Sequence, residues 1–280
     1  MYRFMIVDVF TDTPLAGNQL AVFSNATGMS DELMQRLAAE MGFSETTFVL
    51  PPEDGGNFRI RIFTTKQELP FAGHPVLGTA FALAGPLQSV VLRIETRAGI
   101  VPVAMEREGA KLVYGRMEQP VPTIKPLGPA AIELFEALGV PGSTLPVEEY
   151  DNGIRHVYVG LESFAEVAAV KPDIGWVGAI IGDAAVNTFA VEDGKVKTRM
   201  FSPELGSAED AATGSAAGPL AAHLARHGVI PWGTLITISQ GAEIGRPSTL
   251  YASAEGDGDT ITRVEVGGVA AVVARGEFSV

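Results

Sequence analysis

The chain contains no cysteine. That absence removes disulfides, thiolate metal sites and thiol nucleophiles together. Basic residues are also few, with 20 Lys and Arg against 33 Asp and Glu and a formal net charge of −13. They are scattered and form no runs, so the overall field opposes association with nucleic acid or anionic lipid, and neither is an expected partner. Charged residues of both signs make up only 19% of the 280, hydrophobic residues 46%, and mean hydropathy is +0.22. This composition belongs to a folded chain with a sizeable core and not to a disordered one. No apolar run reaches membrane-spanning length. The run before Asp8 is too short for a signal peptide, which makes the cytoplasm the expected location.

Two stretches share one plan. Glu68-Leu-Pro-Phe-Ala-Gly-His-Pro75 opens the apolar segment Val76 to Leu83, and Glu209-Asp-Ala-Ala-Thr-Gly-Ser-Ala-Ala-Gly218 opens a second, Pro219 to Arg226. Each is a small-residue turn feeding a buried helix. Helix N-termini carry unpaired N–H groups and partial positive charge, and Gly73 and Gly214 would let an anion approach the backbone. Two such ends facing each other would hold a carboxylate; the competing reading is that Gly, Ala and Ser only permit close helix packing.

The repeated plan favours two lobes. Strands are expected over Tyr2–Phe10, Gln19–Phe23, Ser44–Leu50, Phe58–Phe63, Val90–Thr96, Ile100–Met105 and Leu112–Met117, with a peripheral helix from Ser30 to Gly42. The proline-rich Gln119–Pro126 reads as the boundary, dividing 1–120 from 121–280, with the final strand free to pack back on the first lobe. Beyond it a helix spans Ala130–Leu138 and strands follow at His156–Leu161, Val186–Val191, Val196–Phe201, Thr234–Ser239, Leu250–Ala252, Thr260–Val266 and Val269–Ala274. Helices do not alternate with strands, so the expected class is α+β: two similar lobes, each a curled, mostly antiparallel, barrel-like sheet around one central helix.

The four histidines differ in context. His223 and His227 are four apart on the second helix, but no zincin-like acid accompanies them, and His227 reads as a partner of the helix C-terminus; no metal site is assigned. His74, between Gly73 and Pro75 at a helix start, is poorly placed for core filling and well placed for a ligand. His156 is open between a site-lining residue and a satisfied buried histidine. Glu45 enters the apolar strand Phe48–Leu50, where desolvation would raise its pKa toward the range useful for proton transfer. Asp210 and Ser215 stand at the second helix start, where capping is the alternative to ligand contact. No phosphate loop, cofactor fingerprint or convincing ligand cluster occurs, so no cofactor is expected.

Taken together, Asp8-Val-Phe, Gly17-Asn18, Ser44-Glu-Thr-Thr-Phe-Val, Arg61-Ile-Phe-Thr, the two helix-start stretches, Asn152-Gly-Ile-Arg-His and Gln240-Gly-Ala-Glu-Ile-Gly-Arg-Pro resemble the PhzF-like phenazine-biosynthesis isomerase family of the diaminopimelate-epimerase fold, over essentially the whole chain. The resemblance implies a homodimer of two-lobed subunits, a cleft site between lobes and cofactor-independent isomerisation of a small carboxylate. It implies trans-2,3-dihydro-3-hydroxyanthranilate as substrate, with Glu45 as acid and base and with Gly73, His74, Asp210, Gly214 and Ser215 in contact with it; Asn18 and His156 join this set. Related epimerases and proline racemases place a cysteine at each helix start, at positions matching Ala72 and Ala211, so two-thiol racemisation is excluded. An isomerase of another small amino or hydroxy acid, or a noncatalytic ligand-binding module, are the alternatives; the second would not need Glu45.

Overall fold

The computed structural model describes residues 1–84, 91–203 and 209–280. Val90, expected to begin a strand, lies outside them. The chain divides into two compact units, Met1–Glu118 with Gly267–Val280, and Gln119–Val266. Among the described residues no helix is long and apolar enough to cross a membrane.

The first unit runs β1 (Tyr2–Val9), β2 (Asn18–Phe23), α1 (Asp31–Met41), β3 (Glu45–Leu50), β4 (Phe58–Phe63), β5 (Glu68–Leu69), α2 (Gly73–Ala84), β6 (Val91–Thr96), β7 (Gly99–Glu108) and β8 (Lys111–Gln119, ending at the boundary). The second runs β9 (Thr123–Pro126), α3 (Ala130–Leu138), β10 (Glu148–Asp151), β11 (Arg155–Gly160), α4 (Phe164–Ala169), α5 (Ile174–Ile181), β12 (Ala185–Glu192), β13 (Lys195–Phe201), β14 (Glu209–Asp210), α6 (Gly214–Arg226), β15 (Ile236–Gln240), β16 (Ser248–Asp257) and β17 (Thr260–Gly268). The last strand, β18 (Ala270–Phe278), returns to the first unit and pairs antiparallel with β1.

In the first unit β2 pairs parallel with β3 across α1, and β4 parallel with β6 across α2; β1–β2, β3–β4, β6–β7 and β7–β8 are antiparallel. The sheet curls around α2, which touches β18, β1, β2, β3, β6 and β7. Every residue from Gly73 to Phe81 is therefore buried. Outside, α1 packs Met34, Leu37 and Ala38 on Phe23, Phe48 and Phe63. With helices on both faces, β2 and β3 are buried almost throughout and lose the alternation of a one-sided strand. Ser30 caps α1 by accepting from the Leu33 N–H at 3.2 Å.

The second unit repeats the pairing register of this sheet around the turn before its central helix. Phe63 pairs with Glu68 as Phe201 pairs with Glu209. From that anchor, Thr46 opposite Phe63 corresponds to Val186 opposite Phe201, so Glu45 corresponds to Ala185 and Thr47 to Asn187. Leu20 beside Glu45 corresponds to His156 beside Ala185, and Val7 to Tyr150. Gly73 and Gly214 each lie five residues beyond their glutamate. In the second unit β9 takes the place on β10 that β18 takes on β1.

The structure departs from expectation in several places, among them the strand β10, which no expected element covered. Thr123–Pro126, inside the proline run, is the strand β9, where Pro126 opposes Glu148. The reasoning that prolines stop a sheet fails here because β9 has β10 as its one described partner, and a strand paired on one side tolerates a missing N–H. Residues 164–181 hold α4 and α5, capped by Ser163 and Asp173. The strand expected at Leu250–Ala252 extends over Ser248–Asp257.

Candidate active site

Glu45 is the first residue of β3 and is 7% exposed. Its Oε2 lies 3.3 Å from Nε2 of His74, the second residue of α2. On the other edge of the ring, Nδ1 lies 3.4 Å from the amide nitrogen of Asn18, whose Oδ1 accepts from Ser44 Oγ at 3.3 Å. Three of the expected residues, Asn18, Glu45 and His74, are thus brought together in the first unit. Burial pushes the His74 pKa down to about 3, against the pull of a backbone hydrogen bond to Gln19. The ring is neutral at physiological pH, so no imidazolium stands permanently against Glu45.

The second unit assembles a different set. Asp210 Oδ2 accepts from Thr213 Oγ1 at 2.7 Å. Thr213, and not Asp210, is the residue before α6, so the capping alternative for Asp210 does not hold. Gln240 fastens the turn from behind: its Oε1 accepts from the Thr213 N–H at 3.1 Å, and its Nε2 donates to the Asp210 carbonyl at 3.0 Å. Gly241 follows at φ +78, and a Cβ there would stand 2.4 Å from the carbonyl oxygens of Ala211 and Arg246. This explains the Gln240-Gly241 pair, whose anchoring role sequence reasoning missed.

Ser215, the second residue of α6, is held at both ends. Its Oγ lies 3.0 Å from His156 Nε2, and its carbonyl accepts from Asn152 Nδ2 at 2.9 Å. Pro219 is four residues on and has no N–H, so the Ser215 carbonyl lacks its helical donor and Asn152 supplies one. Tyr158 donates to the next carbonyl, that of Ala216, at 2.7 Å. His156 is fully buried, and desolvation holds its pKa down to about 3. Gly73 and Gly214 are buried, and neither takes a left-handed φ, so neither is called for by a left-handed turn.

Both turns rest on the same buttress. Arg61 grips Glu68 through Nε and Nη2 at 2.8 and 2.6 Å, and Arg199 grips Glu209 at 2.8 and 2.7 Å; each guanidinium lies over the phenylalanine two residues on. Arg199 also donates to the carbonyls of Val167, Ala168 and Val170 at the end of α4. The duplicated Arg-x-Phe was the available signal for these pairs.

Glu148, His223 and His227 bring ligand-type atoms within 4.8 Å of one another. Arg226 Nη1 already donates to the same Glu148 oxygen at 2.8 Å, and His227 Nε2 and the Tyr150 hydroxyl reach it at 3.0 and 3.1 Å. Burial raises the Glu148 pKa, but the bonds from His223, His227 and Arg226 outweigh it and hold the carboxylate ionised. A guanidinium thus occupies the cation's place, and the group reads as a polar tie between β10 and the end of α6.

The class follows from the fold. A probable proline racemase from Agrobacterium radiobacter superposes with a TM-score of 0.70 at 11% identity, covering 100% of this chain and 93% of that one, and shares the fold alone. A phenazine biosynthesis protein of the PhzF family from Bacillus anthracis superposes at 0.89 with 26% identity, covering 100% and 99%. The model of the phenazine biosynthesis-like protein family, PhzC-PhzF, matches residues 7–276, and the chain belongs to that family. It is 53% identical over 276 residues, 99% of each chain, to the trans-2,3-dihydro-3-hydroxyanthranilate isomerase of Pseudomonas aeruginosa. The cysteine positions need one amendment: counting from Glu68 and Glu209, Ala72 corresponds to Thr213 and not to Ala211.

Proposed function

We propose that the chain is a cofactor-independent isomerase of trans-2,3-dihydro-3-hydroxyanthranilate. Glu45 takes the proton from C3, the electron pair moves through the ring diene, and the same carboxyl returns the proton to C1. The C3 enol so formed relaxes to the ketone, and no atom is gained or lost. The observation that carries the reading is a buried carboxylate beside a neutral histidine, with Ala185 at the corresponding place of the second unit. One proton carrier suits a reaction that moves one proton within one molecule. The full-length similarity to a relative of that name supports the substrate. Asp210, Gly214 and Ser215 with Gly73 bind the polar groups of the substrate in this reading, and His74 is a neutral hydrogen-bonding partner.

The test is Glu45→Gln, which keeps size and hydrogen bonding but removes the base. Turnover should fall by about 10²–10⁴ while substrate still binds, and His74→Gln should lose less. Single turnover of substrate deuterated at C3 should carry part of the label to C1. Normal turnover by Glu45→Gln, or a loss of binding equal to its loss of rate, sinks the assignment.

A further inference from the structure

The internal repeat separates what the fold needs from what one half adds. Features present in both halves, such as the two Arg–Glu pairs, belong to the scaffold. His156 is not among them: its counterpart is Leu20, fully buried on the corresponding strand. A buried leucine therefore satisfies the scaffold at this place, and a fully buried histidine costs desolvation with no gain in packing. Its ring contacts are polar and lead to the helix start. Nε2 lies 3.0 Å from Ser215 Oγ, and Nδ1 lies 3.4 Å from Asn187 Nδ2. Asn187 is also peculiar to this half, its counterpart being Thr47.

An amide nitrogen only donates, so Nδ1 holds the lone pair and the single ring proton sits on Nε2. Nε2–H then donates to Ser215 Oγ, and the serine must direct its own proton elsewhere. We infer that His156 is a positioning residue that commits the Ser215 hydroxyl to donate to an anionic oxygen of the ligand, beside the N-terminus of α6. The inference rests on the isomerase reading and deepens it: the second unit selects for the carboxylate, through donors that cannot turn round to accept. Desolvation keeps the ring neutral well below neutral pH, so the arrangement holds across the physiological range.

The probe is 3-hydroxyanthranilate, the aromatic compound with the same carboxylate, amino and hydroxyl substituents, measured by titration calorimetry. Its amide, 2-amino-3-hydroxybenzamide, is the control without the anionic oxygen. His156→Leu, which installs the residue of the other half, should fold and bind the acid about tenfold more weakly. The acid should be affected more than the amide, and KM should rise more than kcat falls. Ser215→Ala should lose a similar factor, and the double variant should be no weaker than Ser215→Ala alone. His156→Gln, which can still donate through its amide, should recover most of the affinity. Losses that multiply in the double variant, equal losses for acid and amide, or a His156→Leu chain that fails to fold each overturn the inference. A wild-type enzyme that turns over the dihydro substrate while His156→Leu binds unchanged refutes this inference alone. A wild type that neither turns over nor binds refutes the isomerase reading and this one with it.

Discussion

Two buried neutral histidines make the fold acid-sensitive in a window that can be calculated. His74 and His156 are held at about 3 by burial, against about 6.5 in the unfolded chain. A depressed histidine pKa means that the unfolded state takes up the proton first. The stability contribution is therefore complete above about pH 7 and is lost as pH falls from 6.5 toward 3. At pH 5 the unfolded chain gains about 2 kcal/mol per histidine while the native state gains almost nothing, so the pair costs about 4 kcal/mol between pH 8 and pH 5. His223, held low first by burial, adds in the same direction. Glu148 has the opposite history: its pKa is depressed by its partners, so its contribution is lost only below the ordinary glutamate range and is nearly silent at pH 5. Urea midpoints measured from pH 8 to pH 5 report the histidines, and His156→Gln should remove about 2 kcal/mol of the pH dependence whatever it does to stability at pH 8. A flat profile, or one that the substitution leaves unchanged, would show that water reaches these rings and that the neutral-ring argument is wrong.

Arg199→Met should destabilise by about 3–5 kcal/mol, since it strands Glu209, whose side chain is 10% exposed, without its bidentate partner. The paired change with Glu209→Leu should recover much of that loss, and denaturant titration of the three proteins checks both statements. Exhaustive chelation should leave the turnover rate unchanged, because Arg226 already occupies the cation position on Glu148; activity lost on chelation and restored by one divalent ion would contradict the assignment.

The local devices were legible in the chain because their cause is local. Ser30 before Asp31 and Glu32, Gly139 after Leu138, and the two small-residue turns announce helix ends over a few residues. What stayed hidden depends on partners far apart in sequence. Asn152 is fixed by a carbonyl 63 residues on, and Gln240 by a turn 27 residues back. Neither amide carries any signal on its own. The strand β9 was hidden by its prolines, and α4 and α5 by their brevity, since they span six and eight residues. Among the proposed site residues, Glu45 and His74 were marked by odd placement in apolar surroundings, whereas His156 could not be weighed until its counterpart Leu20 was identified.

That comparison of halves also bears on stereochemistry. Phe63 and Phe201, Glu68 and Glu209, and Gly73 and Gly214 match across the two turns. The halves differ at Glu45 against Ala185, Leu20 against His156, Leu69 against Asp210, and His74 against Ser215. In the reading proposed above Glu45 is the single carrier, and Ala185 offers the second unit no carboxylate at the corresponding place. One carboxyl that both takes and returns the proton works from one face of the ring, so that reading calls for transfer between two carbons along a single face and not for inversion at one.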